Sequence, residues 1–176
     1  MTRKVLIICG HGDGDSGAVG GGKTEAELVR KLGNKIRLFG GSNFKLLNTK
    51  KNWYKEGLDT IFKKYDPKKW RIIELHMDSA DASARGAHVI INSNYKSAGP
   101  VIRKVAKKLN YHFAGRSQKI VKRSDLANCN RCYKAGFLYM LLECGFITNT
   151  RDRNYFIKNL DNIAKDLIRA CGHKIK

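Results

Sequence analysis

Acidic residues, prolines, long apolar runs and paired cysteine motifs are all scarce in this chain, and each shortage narrows what it does. Only 15 Asp and Glu stand against 35 Lys and Arg, for a net charge of +20. That shortage of negative charge points to a polyanionic partner, whether nucleic acid, an anionic membrane surface or a phosphate-rich polymer; the plainer alternative is a solvated basic surface. Nucleic acid is not expected, because neither aromatic ribonucleoprotein motifs nor a helix-turn-helix is found. Two prolines in 176 residues, with no Ser/Gly-rich linker, argue for one domain over residues 1–176, long enough to bury a core. No apolar run approaches the roughly 18–20 residues that cross a bilayer. The opening "MTRKVLIICGHG" holds about five apolar residues in a row, too few for a signal-peptide core, so synthesis in a cytoplasm is expected. The five cysteines include one C-x-x-C, Cys129 and Cys132, without the second pair that a zinc ribbon needs. Free, reduced thiols are the expectation.

What is present alternates between strand and helix patterns. Residues 4–9 read as a buried strand ending at Gly10. From Glu25, Leu28, Val29, Leu32 and Ile36 share a helical face, and residues 36–39 are expected to form a short strand. Trp53, Tyr54, Leu58, Ile61 and Phe62 recur at helical spacing as a core stripe. "WRIIELH" reads as a strand ending near His76, followed by a polar loop and a further strand, "AHVII". Pro100 opens a helix. "FLYMLLE" at 137–143 is another strand, and one final helix is expected over about 152–171. The fold class is therefore α/β: a three-layer sandwich with a mainly parallel, mixed sheet of about six strands and helices on both faces.

Residues 17–24, "GAVGGGKT", match G-x-x-x-x-G-K-[ST], in which backbone N–H groups cradle phosphates between a strand and a helix. This is the case for a nucleotide hydrolase or kinase. Against it, Gly17 lies eight residues beyond Cys9, and Asp13, Asp15 and Glu25 would crowd a phosphate. A basic binding module without catalysis is a further alternative.

A metal reading uses other residues. In open α/β sheets, chemistry gathers at the carboxyl ends of the strands. His11, His76 and Glu143 each fall at such an end, and Glu25 falls at a helix start facing the same edge. Hydrolytic zinc sites commonly take three protein ligands, His2Glu among them, and use a nearby carboxylate to move protons. Each residue taken singly also fits a loop or helix-start role.

The motifs themselves add a resemblance. "GHGDGDSGAVG" resembles the G-H-G-x-x-D-x-G-A opening of the zinc-dependent N-acetylmuramoyl-L-alanine amidases, the amidase type 3 family. In order, "TEAELVR", "IIELHMDSA" and "LLECGFITN" resemble its metal-binding glutamate, its second histidine strand and its catalytic glutamate strand. "EAELVR" and "KRSDLANCN" look especially like bacteriophage endolysins of this family. The resemblance implies Zn²⁺ on His11, Glu25 and His76, with Glu143 as general acid/base. It also implies cleavage of the amide joining N-acetylmuramic acid to L-alanine in peptidoglycan, and a bacteriolytic, antimicrobial phage-type lysin. Where such proteins often carry a glutamate, "RGAHVII" has His88. A separate wall-binding domain, common in family endolysins, is not expected here, leaving the basic surface to meet anionic teichoic acids. On this reading "GGGKT" is a flexible loop leading to Glu25, with Lys23 at the rim of the cleft.

Overall fold

The structure, a computed structural model, describes residues 2–176. In chain order its elements are β1 (Lys4–Cys9), β2 (Val19–Gly20), β3 (Lys23–Thr24), α1 (Glu25–Gly40), β4 (Phe44–Leu46), α2 (Trp53–Glu56), α3 (Asp59–Lys64) and β5 (Trp70–Asp78). There follow β6 (His88–Asn92), α4 (Pro100–His112), β7 (Ile120–Arg123), α5 (Ala127–Lys134), β8 (Tyr139–Phe146), α6 (Thr150–Lys158) and α7 (Leu160–Ala170). Six strands form one sheet in the order β4-β1-β5-β8-β6-β7. All neighbours are parallel except β6 and β8, which run antiparallel, so the sheet is mixed and mainly parallel.

Side chains alternate across the pleat, and that alternation sorts the core into two layers. Val5, Ile7, Ile73, Leu75 and Leu142 face one side, sealed by the apolar stripes of α1, α4, α6 and α7. Leu6, Ile8, Ile72, Tyr139 and Leu141 face the other, covered by Trp53, Leu58, Ile61, Cys129 and Cys132 from α2, α3 and α5. No helix is long and apolar enough to cross a membrane among the described residues.

Several sequence expectations shift. Residues 36–39 continue α1 rather than forming a strand, because Ile36 extends the stripe of Val29 and Leu32 at helical spacing. The helix ends only at Gly41, whose φ of 57° suits glycine. The strand expected at 137–143 runs from Tyr139 to Phe146. The final helix is two, split at Asn159, whose side chain donates to the Tyr155 carbonyl and competes with helix continuation. The Trp53–Phe62 stripe is likewise broken, at Gly57 with φ 76°. Within it Trp53, Leu58 and Ile61 are core, whereas Tyr54 is exposed.

The "GGGKT" segment is not a flexible loop. β2 and β3 pair as an antiparallel hairpin with Gly20 opposite Lys23. The intervening Gly21 and Gly22 have φ of 53° and 71°, the signs that a tight two-residue hairpin turn requires. Thr24 then caps α1, its hydroxyl accepting the Glu27 N–H at 3.2 Å.

Candidate metal centre

The end of β1, the start of α1 and the end of β5 meet at the carboxyl edge of the sheet, on the face covered by α2, α3 and α5. His11 follows β1 with φ 65°, a turn that directs the chain back toward Glu25. Two glycines make the approach possible. A Cβ at Gly10 would lie 2.3 Å from His76 Cε1, and one at Gly17 would lie 2.6 Å from His11 Cδ2 and 2.8 Å from Glu25 Oε2. Glu25 is the first residue of α1 and is buried. The Met77 N–H donates to its Oε1 at 3.0 Å and the Ala18 N–H to its Oε2 at 3.2 Å.

The three candidate ligands converge. Glu25 Oε1 lies 3.0 Å from His11 Nε2 and 2.9 Å from His76 Nδ1, and one ligand atom from each residue fits within 4.8 Å of the others. The opposite nitrogen of each imidazole meets a carboxylate: His11 Nδ1 lies 2.9 Å from Asp15 Oδ2, and His76 Nε2 lies 3.1 Å from Glu74 Oε1. Those carboxylates are themselves held. Asp15 accepts from the Gly17 N–H at 2.9 Å and from Asn52 Nδ2 at 3.2 Å; Glu74 accepts from Tyr139 Oη at 2.7 Å and Asn128 Nδ2 at 3.1 Å. Such outer hydrogen bonds fix ring orientation and raise ligand basicity.

The electrostatics favour a cation. Burial alone would raise the Glu25 carboxyl, but the bonds to His11 and His76 hold it well below the usual carboxylate range. Burial alone would lower His76, but Glu25 and Glu74 drive it well above an ordinary histidine. His11 is raised in the same way against its burial, by Glu25 and Asp15. Three carboxylates thus surround two imidazoles in a space that two glycines keep open. Nitrogen and oxygen donors in this number fit a zinc ion.

Glu143 sits in register between His76 on β5 and His88 on β6, so the three side chains share one face. Burial pushes its carboxyl up to about 7, and its Oε2 is buried without a hydrogen-bond partner among the described residues. His88 is buried and pulled down to about 4 by that burial, hence neutral at pH 7. Asp78 Oδ2, 3.9 Å from His88 Nδ1, is bonded to Arg116 at 3.1 Å. His11, His76 and Glu143 line a cavity of about 450 Å³ whose walls include Ile8, Ile90 and Leu141.

The nucleotide reading finds no geometry here. The Gly17 N–H is spent on Asp15, and Lys23 lies 3.9 Å from Glu27 and does not line the cavity, contrary to the rim position expected for it. The five cysteines are free and buried; burial pushes Cys129 up to about 11 and Cys132 well above that, so neither is a reactive thiolate. Sequence reasoning missed Glu74, although a charged residue two positions before His76 in an apolar strand must share its face. It took Asp15 as an obstacle to phosphate and as a fixed position of the "GHGDGDSGAVG" motif, but gave it no role beside His11. Nothing in the sequence pattern linked Asn52, Asn128 or Tyr139 to the site.

Residues 5–171 match the family described as Amidase_3, N-acetylmuramoyl-L-alanine amidase. Among curated proteins, Probable autolysin PH of Staphylococcus aureus (strain NCTC 8325 / PS 47) is 30% identical over 193 residues, covering 97% of this chain. The chain spans only 38% of that relative's length. Among solved structures, the N-acetylmuramyl-L-alanine amidase Ami1 from Mycobacterium smegmatis aligns with TM-score 0.76 and 17% identity, over 96% of this chain and 95% of that one. Cwp6 from Clostridium difficile aligns with TM-score 0.80 and 18% identity, over 99% of this chain and 30% of that one. The catalytic domain of the CD27L endolysin, which targets Clostridia difficile, aligns with TM-score 0.70 and 20% identity, over 99% of each. At these identities the structural likenesses concern the fold.

Proposed function

The chain belongs to the N-acetylmuramoyl-L-alanine amidase family, and from that premise we propose that it is a zinc-dependent peptidoglycan hydrolase. The bond cleaved is the amide between the lactyl group of N-acetylmuramic acid and L-alanine of the stem peptide. Residues 1–176 act as one catalytic unit, a lysin of phage type acting on the wall. The observation that carries the reading is the convergence of His11, Glu25 and His76 within 4.8 Å, with Glu143 in register beside His76.

His11 Nε2, His76 Nδ1 and Glu25 would hold the zinc, and Asp15 and Glu74 would keep the two imidazoles oriented. A bound zinc supplies Lewis acidity, polarising the scissile carbonyl and acidifying water. Glu143 does the proton work. Its carboxyl, pushed up to about 7, accepts the proton of the water that attacks the carbonyl carbon. As the C–N bond breaks, that proton passes to the departing L-alanine nitrogen.

The test is metal content followed by product chemistry. The purified protein should hold one zinc per chain, and cleavage of a soluble muropeptide should expose a new L-alanine amino terminus. Chelation should abolish that cleavage and added Zn²⁺ restore it; full activity after verified metal removal would sink the mechanism.

The net charge of +20 supports a diffuse attraction to anionic wall polymers such as teichoic acids. Raising salt from about 0.15 M to about 1 M shortens the Debye length from about 8 Å to about 3 Å. Lysis of intact cells should then fall steeply while muropeptide cleavage barely changes. Equal salt sensitivity on both substrates would leave the charge without a role in wall attachment.

A further inference from the structure

At the edge of the sheet opposite the metal centre, a cavity of about 410 Å³ opens at the start of β5. Arg71, Arg3 and Lys104 line it together with Thr2, Leu138 and Cys171, and no acidic residue does. Arg71 is 4% exposed, and its Nε and Nη1 are buried with no acceptor among the described residues. A buried guanidinium left without an acceptor is unfavourable, and most proteins pair it with a carboxylate.

Carbonyls just before the cavity-lining Cys171 and Gly172 already accept backbone N–H groups. At the end of α7, the Leu167, Ile168 and Arg169 carbonyls take the N–H groups of Cys171, His173 and Gly172 at 3.0, 3.2 and 2.9 Å. The Arg3 carbonyl lies 3.0 Å from His173 Nε2. Cys171 is no counterion either, since burial pushes its thiol up to about 12 and leaves it neutral. Two further cations at the mouth make the charge deficit larger.

We propose that this cavity is a binding site for a phosphate group. The Arg71 guanidinium supplies charged N–H donors suited to tetrahedral oxyanions, Thr2 a hydroxyl donor, and Arg3 and Lys104 the flanking positive charge. The bound group is either inorganic phosphate or a phosphate of a phosphodiester chain. The site stands apart from the amidase chemistry. Arg71 and His76 lie five residues apart on β5, about 16 Å along a strand, and on opposite faces of the sheet.

Calorimetric titration of the full chain with inorganic phosphate, in chloride buffers of constant ionic strength, tests it. Saturable binding at one site per chain is expected. Arg71→Met should weaken it at least about tenfold, the loss of one or more charge-assisted hydrogen bonds. In phosphate-free buffer the same variant should melt at or above the wild-type temperature, because the unpaired charge is gone. Should Arg71→Met fail to fold, Arg3→Ala and Lys104→Ala still decide, since neither is a buried core residue; each should weaken phosphate several-fold. Lys158→Met, which removes one charge from the exposed side of α6, should leave binding unchanged. A glycerol-phosphate oligomer that binds more tightly than inorganic phosphate assigns the site to a phosphodiester polymer; the reverse assigns it to free phosphate. Absence of both, or equal weakening by Lys104→Ala and Lys158→Met, overturns the proposal, the latter result reading as diffuse attraction to net charge.

Discussion

The two faces of the six-stranded sheet obey one alternation and do opposite things with it. On the face beneath α1, α4, α6 and α7, the inward positions are apolar and buried, from Val5 and Ile7 to Met140 and Leu142, with Arg71 at the start of β5 the exception. The other face starts the same way, with Leu6, Ile72 and Tyr139, and then turns to Glu74, His76, Glu143 and His88 toward its carboxyl edge. Burial is deep on much of both faces: Glu74 is 5% exposed and His88 4%, whereas His76 and Glu143 are half-buried where they line the cavity. What differs is whether the buried groups need partners. The sealed face supplies stability, whereas the mixed face holds charge in fixed positions by hydrogen bonds, as a reaction requires.

Two adjacent residues of β8 put that contrast to its hardest test. Glu143 points to the mixed face and Leu142, fully buried, to the sealed one. Glu143→Gln should keep the fold and the bound zinc but lose about 10²- to 10⁴-fold in muropeptide turnover, the usual worth of a positioned acid/base. Leu142→Ala should do the reverse, losing about 2–5 kcal/mol of stability through a core cavity. Its folded fraction should turn over substrate at close to the wild-type rate. Rates measured beside denaturant melts decide it. Near-normal turnover in Glu143→Gln would mean that another residue moves the proton.

Glu74 sharpens the comparison, since it is as buried as its apolar neighbours yet bonded to His76, Tyr139 and Asn128. If it positions His76, Glu74→Gln should weaken zinc about 10- to 100-fold, as the loss of an outer carboxylate typically does. Competition against a chelator of known affinity reads this without reference to activity. Glu74→Asp should recover part of the loss. Unchanged zinc affinity with lowered melting temperature would make Glu74 a structural residue only.

The central strands were legible because β1, β5, β6 and β8 are runs of mostly apolar residues that the fold buries on both faces. Besides the β2–β3 hairpin, the strands missed, β4 and β7, are the two edges of the six-stranded sheet. "FKL" and "IVKR" are too short for alternation to register, and each carries the charge that blunts an edge. Helix α5 went unread because its buried residues are Asn128, Cys129 and Cys132 rather than an aliphatic stripe. At the site, His11, Glu25, His76 and Glu143 could be marked from motif and strand ends alone. Which nitrogen of each imidazole turns to Glu25, and which to Asp15 or Glu74, depends on the packing of three separate elements. No spacing along the chain encodes it.

The smallest effect belongs to Lys23, and it tests the phosphate-cradle alternative most directly. In a nucleotide hydrolase that lysine would contact the outer phosphates, and its removal would abolish turnover. Here it stands on β3, partly exposed, with its Nζ 3.9 Å from Glu27, a surface pair worth about 0–1 kcal/mol. The glycines around it have a different task. A Cβ on Gly20 would lie 2.2 Å from the Ile147 carbonyl oxygen, so close approach of the hairpin to the end of β8 demands glycine there. Lys23→Ala should therefore leave zinc content and melting temperature unchanged, and muropeptide turnover within about twofold, the scale of one weak surface pair. The measurement is a side-by-side rate on a soluble muropeptide, which avoids the charge-dependent step of wall attachment. Loss of turnover with zinc retained would give the lysine a place in the reaction. The hairpin would then belong to the working face rather than to the support of Glu25.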